Sequence, residues 1–313
     1  MAVIRECYDL DKEIESLLND GYRLDMITPA DSPREVQLSK NGDIVRLVSE
    51  PPAIAGGLSR HQASSEPKEF LGQLQPPPTG GGSDRWITGR AGMMYRDLLP
   101  DRLGGRLIAS HIRLSEGGPV PDYVHYHKID FQLIYCLKGR IRVVYEDQGE
   151  PFWLEPGDCV LQPPEIRHRV LECEAGSEVL ELSSPAEHET WVEHEITLPT
   201  SEIKPDRLFN GQRFVRSIAK EAMWTPSKSN GVFERDLGIF EATNGLVDVR
   251  IRRSANAEMM MPVSPRLGMI GLGFVVAGRE KGDAISIHTA DSRIISDPVA
   301  TEILWLEFRD VSA

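Results

Sequence analysis

Apolar positions along this chain recur mainly with the two-residue period of β-strands. From residue 86 to 198 they gather in short runs: LIASHIRL, FQLIYCL, RIRVVYE, CVLQPP, RHRVLE and SEVLELSS. The turn signals EGGP, KGR, EDQGE, EPGD and EAGS separate them. Many short strands at regular spacing predict a sandwich, jelly roll or barrel. The same rhythm returns from 205 to 313 in VDVRIRR, GMIGLGFVVAGRE, DAISI and EILWLEF. Helical periodicity is confined to LDKEIESLL, where Leu10, Ile14, Leu17 and Leu18 form one apolar stripe.

Around that helix, residues 1–50 read as a small α+β segment, with strands at YRLDMI (22–27) and DIVRLV (43–48) on either side of the turn-rich PADSPR. Residues 51–85 concentrate Pro and Gly in PPAIAGG and QPPPTGGGSD, the composition of a linker or wrapping arm. The predicted fold class is therefore all-β, with two barrels over 86–198 and 205–313. An internal echo points to duplication. IYCLKGR (134–140) and EPGDCVLQPP (155–164) are followed in the same order by FVVAGRE (274–280) and EKGDAISIHT (280–289).

Composition narrows the functional classes. The 313 residues carry a net charge of −13, which argues against a nucleic-acid partner because phosphates demand a basic surface. No apolar run approaches the roughly 20 residues that cross a bilayer. The first residues acquire acidic side chains at once and show no apolar leader, and none of the four cysteines forms a CxxC pair, which together read as cytoplasmic with reduced thiols.

The chemistry concentrates in HYHKIDFQLIYCLKG and the later EPGDCVLQPPEIRH. Residues two apart on a strand share a face, so His125 and His127 can point into a barrel together while Tyr126 faces out. His168 lies on a later strand and Gln132 on the strand after His127. Imidazoles converging from separate strands make a nitrogen-rich site suited to Fe, Ni, Zn, Cu or Mn.

These residues resemble the motifs of the cupin superfamily. The first family motif, G(X)5HXH(X)3–4E(X)6G, is matched by Gly118, His125, His127, Gln132 and Gly139, and the second, G(X)5PXG(X)2H(X)3N, by Gly157, Pro163, His168 and Glu172. The resemblance covers about residues 105–185 and implies a double-stranded β-helix (jelly-roll) barrel holding one divalent metal, with His125, His127 and His168 as ligands and Gln132 as the fourth. Gln132 stands where the family usually has glutamate, Glu165 where it has a turn glycine, and Glu172 where it has asparagine. With three neutral histidines and a neutral amide, the charge of the metal is left uncompensated, which favours an anionic ligand. The second barrel fails the same test. Its equivalent positions are Ser264, Arg266, Gly271 and Arg293, so it is expected to be metal-free. Residues 1–50 also faintly resemble half of a glyoxalase-type βαβββ module, without its metal ligands.

Among supporting residues, Tyr123 is either a packing tyrosine or a candidate for proton transfer, and Arg113 and Arg142 are either exposed strand arginines or candidates to anchor a substrate carboxylate. His111, His188 and His194 read as structural or surface residues. By resemblance to three-histidine bicupins such as the gentisate dioxygenase-like group, the leading expectation is an Fe(II) dioxygenase acting on a small anionic substrate, a catecholate, enolate or carboxylate. A non-redox isomerase, decarboxylase or lyase using Zn, Ni or Mn is the second reading, and a non-catalytic sensor of small molecules the third. A homo-oligomer, a dimer in the simplest case, is the expected assembly, with no membrane partner.

Overall fold

The computed structural model describes residues 2–30, 33–49, 86–229, 231–254, 258–260, 269–277, 284–286, 294–296 and 302–309. The predicted linker 51–85, together with His61, Ser264, Arg266, His288 and Arg293, lies outside the described residues. Among the described residues no helix is long and apolar enough to cross a membrane.

The amino-terminal segment runs strand Val3–Cys7, helix Leu10–Asn19, then strands Arg23–Thr28, Glu35–Lys40 and Asp43–Ser49. Asp9 caps the helix by accepting from the Lys12 amide at 3.1 Å, satisfying one of the donors that a helix start leaves open. Leu17 is buried, and Leu10 and Ile14 pack with it against Val36, Leu38, Val45 and Leu47. Leu18 is 46% exposed, so the apolar stripe is narrower than its spacing predicts. The Glu35–Lys40 strand is an addition to the sequence reading, in which PADSPR marked only a turn. Its alternation is short, with Val36 and Leu38 inward between Glu35, Gln37 and Ser39.

This segment is not freestanding. Arg23–Thr28 pairs antiparallel with Thr190–Val192, with Ile27 opposite Thr190, and so extends one barrel sheet to ten strands. That sheet continues through His125–His127, His168–Cys173, Ile141–Tyr145 and Phe152–Leu154. The facing sheet has seven strands, in the order Val215–Ser217, Cys159–Gln162, Phe131–Lys138, Ser177–Ser184, Ile108–Leu114, Met94–Asp97 and Ile87–Thr88. Ile112, Leu114, Ile141, Val143, Tyr145, Val160 and Val179 fill the space between the two sheets.

The second half repeats the seven-stranded sheet. Its six-stranded sheet runs Ala284–Ser286, Met269–Ala277, Glu302–Arg309, Val247–Ser254, Val232–Asp236 and Thr225–Pro226. That order matches Cys159–Gln162, Phe131–Lys138, Ser177–Ser184, Ile108–Leu114, Met94–Asp97 and Ile87–Thr88 strand for strand. Even a bulge is shared. The register slips between Cys136 and Lys138 in the first half and between Val275 and Ala277 in the second, each just before the glycine of the echoed motif. The two sheets pack face to face through one apolar core: Phe131, Leu133, Leu180 and Leu182 against Val249, Ile251, Leu304, Leu306 and Phe308.

Two turns explain motif positions. Gly139 has φ +63°, and a Cβ there would collide with Ser177. Glu165, at the family's glycine position, is also left-handed, with φ 63°, so the turn keeps its shape with a residue that is strained in it.

Candidate metal centre

The three histidines meet because of strand register. His125–His127 lies between His168–Cys173, with His168 directly opposite His125, and Thr190–Val192, with Thr190 opposite His127. Alternation sends Tyr126 to the other face, where the Arg167 guanidinium stacks 4.3 Å from its ring centre. Ligand-capable atoms of His125, His127 and His168 all lie within 4.8 Å of one another, and the three side chains are 0%, 5% and 6% exposed.

Each imidazole is oriented through Nδ1. His125 Nδ1 is 2.8 Å from the Tyr123 carbonyl and His168 Nδ1 is 2.9 Å from the Ile166 carbonyl. A carbonyl has no proton to give, so each Nδ1 carries the hydrogen and each Nε2 keeps its lone pair, the state a cation requires. His127 Nδ1 is held by the Thr190 hydroxyl at 2.9 Å. Asp122, fully buried as a side chain, stands 3.7 Å from His125 Nδ1 and accepts the Val170 amide. Tyr145 stacks on His168 with centroids 5.7 Å apart, and burial pushes its phenol well above its ordinary value, so it stays protonated. The donor set therefore suits a borderline divalent cation.

Gln132 is 2% exposed, and its side-chain NH2 donates to Glu181 Oε1 at 3.1 Å. Its amide oxygen is buried with no hydrogen-bond partner among the described residues, as an oxygen would be that awaits a ligand. Glu181 changes the expected electrostatics. The site is not free of carboxylates, because one stands a single hydrogen bond behind the amide.

The three histidines open on a cavity of about 70 Å³, room for roughly five water-sized spheres at ~10–15 Å³ each. Gln132, Gln162, Ser110, Tyr145 and Glu181 contribute its polar wall, and residues such as Ile108, Ile112, Ile134, Val143 and Val179 its apolar wall.

Several expected residues lie elsewhere. Arg113 alternates with the inward Ile112 and Leu114, so it faces away, pairing with Glu178 at 3.2 Å and stacking on Trp86. It therefore cannot anchor a ligand in this cavity. Arg142 likewise sits between inward Ile141 and Val143 and faces Glu172 at 3.8 Å. The arginine that borders the cavity is Arg169, whose Nε is buried without a partner among the described residues. The Tyr123 ring packs edge-on to His125 at 5.9 Å and does not line the cavity, so what Tyr123 lends the site is its carbonyl.

His111 is held between Arg96 and Glu178, outside the cavity, and His194 contacts the Leu24 carbonyl. His188 was read as a surface residue, yet it lines the cavity with its ring 5.3 Å from that of His127 and perpendicular to it. Tyr145, Glu181 and Gln162 were also missed. Alternation along VVY, VLELS and CVLQ carries them, once the inward face is known. In the second half, Gly271 stands at the glutamine position, within the Met269–Ala277 strand, and offers no ligand.

A jelly-roll barrel with three inward histidines on adjacent strands defines a cupin-type metal site. Residues 110–182, which hold the three histidines, match the cupin domain family model. No curated protein sequence matches the chain. Among solved structures, it is similar in fold to a point mutant of Bacillus subtilis oxalate decarboxylase OxdC, with 14% identity and a TM-score of 0.50 over 72% of this chain and 75% of that one. It also resembles GK1651 from Geobacillus kaustophilus, with 13% identity and a TM-score of 0.47 over 73% of this chain and 94% of that one.

Proposed function

We infer that this chain is a metal-dependent cupin enzyme in which His125, His127 and His168 hold one divalent cation, with the Gln132 amide oxygen as a fourth protein donor. The observation that carries this reading is the convergence of three buried histidines from paired strands, their ligand-capable atoms all within 4.8 Å of one another. The cation would polarise a carboxylate or carbonyl oxygen and draw an anionic ligand into an otherwise largely apolar cavity.

The reaction favoured is non-redox: decarboxylation, isomerisation or lyase chemistry on a small carboxylate. Glu181 supports it, because such reactions move a proton to or from carbon and a cavity carboxylate can carry that proton. The small cavity supports a substrate of few heavy atoms. Mn(II), Zn(II) or Ni(II) would serve as well as iron. The test is anaerobic loading with each metal, followed by incubation with short mono- and dicarboxylates. Turnover without oxygen uptake is the expected result, and product formation strictly tied to oxygen consumption would overturn it. That second outcome is the Fe(II) dioxygenase reading, which the apolar wall of Ile108, Ile112, Val143 and Val179 favours by offering an environment suited to O2.

A further inference from the structure

The amino-terminal segment belongs to the metal cavity. Only the Thr190–Val192 strand separates its Arg23–Thr28 strand from the strand of His125 and His127. Just past the end of Arg23–Thr28, Pro29 and Ala30 form part of the cavity wall. Ala186 and His188 line the same cavity.

His188 is held from several directions. The Thr28 hydroxyl donates to its carbonyl at 3.0 Å, a contact between residues 160 apart in sequence. Glu187, before it, pairs with Arg34 at 2.6 Å, and Glu189, after it, pairs with Lys128 at 2.8 Å. Its own Nδ1 is 3.0 Å from the Pro185 carbonyl, so Nδ1 donates and Nε2 is the ring atom left for a ligand. The ring stands perpendicular to that of His127. A side chain so constrained beside a ligand-capable histidine is placed to meet the far end of whatever the centre holds.

We propose that Ala30 and His188 are the specificity-determining residues of this cavity, with Thr28 as the positioning residue of His188. Ala30 sets the length of ligand that fits, and His188 Nε2 accepts a hydrogen bond from a hydroxyl at the ligand's end remote from the centre. The favoured ligand class is thus a short chelating anion that carries a distal hydroxyl. This rests on the metal-site reading above and adds a role for a segment outside the barrel.

The test uses the full chain loaded with Co(II), whose visible spectrum reports ligand binding without turnover. Three probes are titrated: azide, acetohydroxamate and glycolohydroxamate, the last two differing by one hydroxyl. The variants are Ala30→Phe, His188→Ala and the near-isosteric Thr28→Val. Azide reaches only the cation, so its affinity is expected to stay constant across variants. Ala30→Phe should weaken both hydroxamates about tenfold or more, the loss expected when an aromatic ring fills space the ligand needs. His188→Ala should abolish the preference for glycolohydroxamate, about fivefold to tenfold for one hydrogen bond, and Thr28→Val should reduce that preference without removing it. Hydroxamate affinities that follow azide in every variant would overturn the wall assignment alone. A wild-type chain that takes up no cobalt would overturn the metal-site reading, and this inference with it.

Discussion

Gln132 gives its amide hydrogens to Glu181 across 3.1 Å, and its oxygen is thereby turned away from that acid. In the proposed centre the pair would divide the work of the motif's usual glutamate, with a neutral oxygen donor in front and a carboxylate behind. Gln132→Glu would place two carboxylates side by side, and one of them must take a proton. The variant should bind Co(II) or Mn(II) more tightly, because an anionic donor replaces a neutral one, and azide more weakly, because the net charge of the centre falls. Competition with a chromophoric chelator measures the first change and a spectral titration the second. Unchanged azide affinity would show that Gln132 stands apart from the centre.

Removing a histidine should be decisive for the cation. His168→Ala is expected to lower metal content after dialysis from near one per chain to near zero. It should also cancel the metal-dependent rise in Tm, which for a site filled at ~100 times its Kd is worth about 2.7 kcal/mol. Elemental analysis and thermal melts with and without metal check both. His194→Ala, changed outside the cavity, should behave as wild type in each assay.

The sequence was most legible where function constrains spacing. His125, His127 and His168 could be placed together because alternation within a strand and glycine-marked turns between strands determine which residues face inward. Duplication was legible for the same reason, through the glycine-terminated echo. Of the two roles open to Arg113 and Arg142, alternation beside the inward Ile112 and Ile141 supports the outward strand arginine and not the carboxylate anchor. His188 and Ala30 were out of reach. Their place depends on Arg23–Thr28 pairing with Thr190–Val192, a contact between distant segments that no local pattern encodes.

Stability should depend on pH through His111 and Glu178, which lie 2.8 Å apart. Arg96 can only donate to His111 Nδ1, so the ring is neutral and its Nε2–H donates to Glu178. Burial pulls His111 below its usual value, with Glu178 opposing in part. Glu178 also sits below its usual value: burial alone would raise it, but the His111 hydrogen bond and the nearby Arg113 and Lys138 charges outweigh burial. Both shifts act in the same direction. Unfolded His111 takes up a proton as the pH falls through its ordinary value of 6.5, while the folded ring resists it, so stability declines there. The Glu178 contribution is complete above 4.5 and is lost as the pH falls through its lower folded value. His111→Gln should therefore lose less Tm than wild type between about pH 7.5 and 5.5, the window of the imidazole. Parallel pH profiles for the two proteins would exclude this pair as the source.

Glu165 offers a test of backbone strain. It holds φ 63°, while its amide donates to the His127 carbonyl and its carbonyl accepts from Arg167, contacts that any residue can make. Glycine adopts this conformation without the roughly 1–2 kcal/mol cost a side chain carries there, though it loses some of that gain to a more flexible unfolded chain. Glu165→Gly should thus be neutral to stabilising by up to about 1 kcal/mol, with metal content unchanged. A clear loss of stability would mean that the Glu165 side chain makes a favourable contribution of its own.

The seam between the two halves is packed as one apolar core. Phe131 and Phe308 meet at 6.0 Å between centroids, 1% and 2% exposed, in a core to which both halves contribute. Separate domains that merely touch would place polar, partly wet surfaces between them. Here Leu133, Leu182, Leu304 and Leu306 exclude water from the seam as they would inside one domain. Phe308→Ala should therefore cost about 3–5 kcal/mol, the range for a large aromatic removed from a packed core. The cost should fall on both barrels at once, because each loses part of its own floor. Urea unfolding followed by tryptophan fluorescence tests this, using variants that retain only Trp153 or only Trp305 as reporters of the first and second halves. Coincident transitions shifted together to lower urea support a shared core. A second-half transition that moves while the first stays in place would show that the halves fold apart.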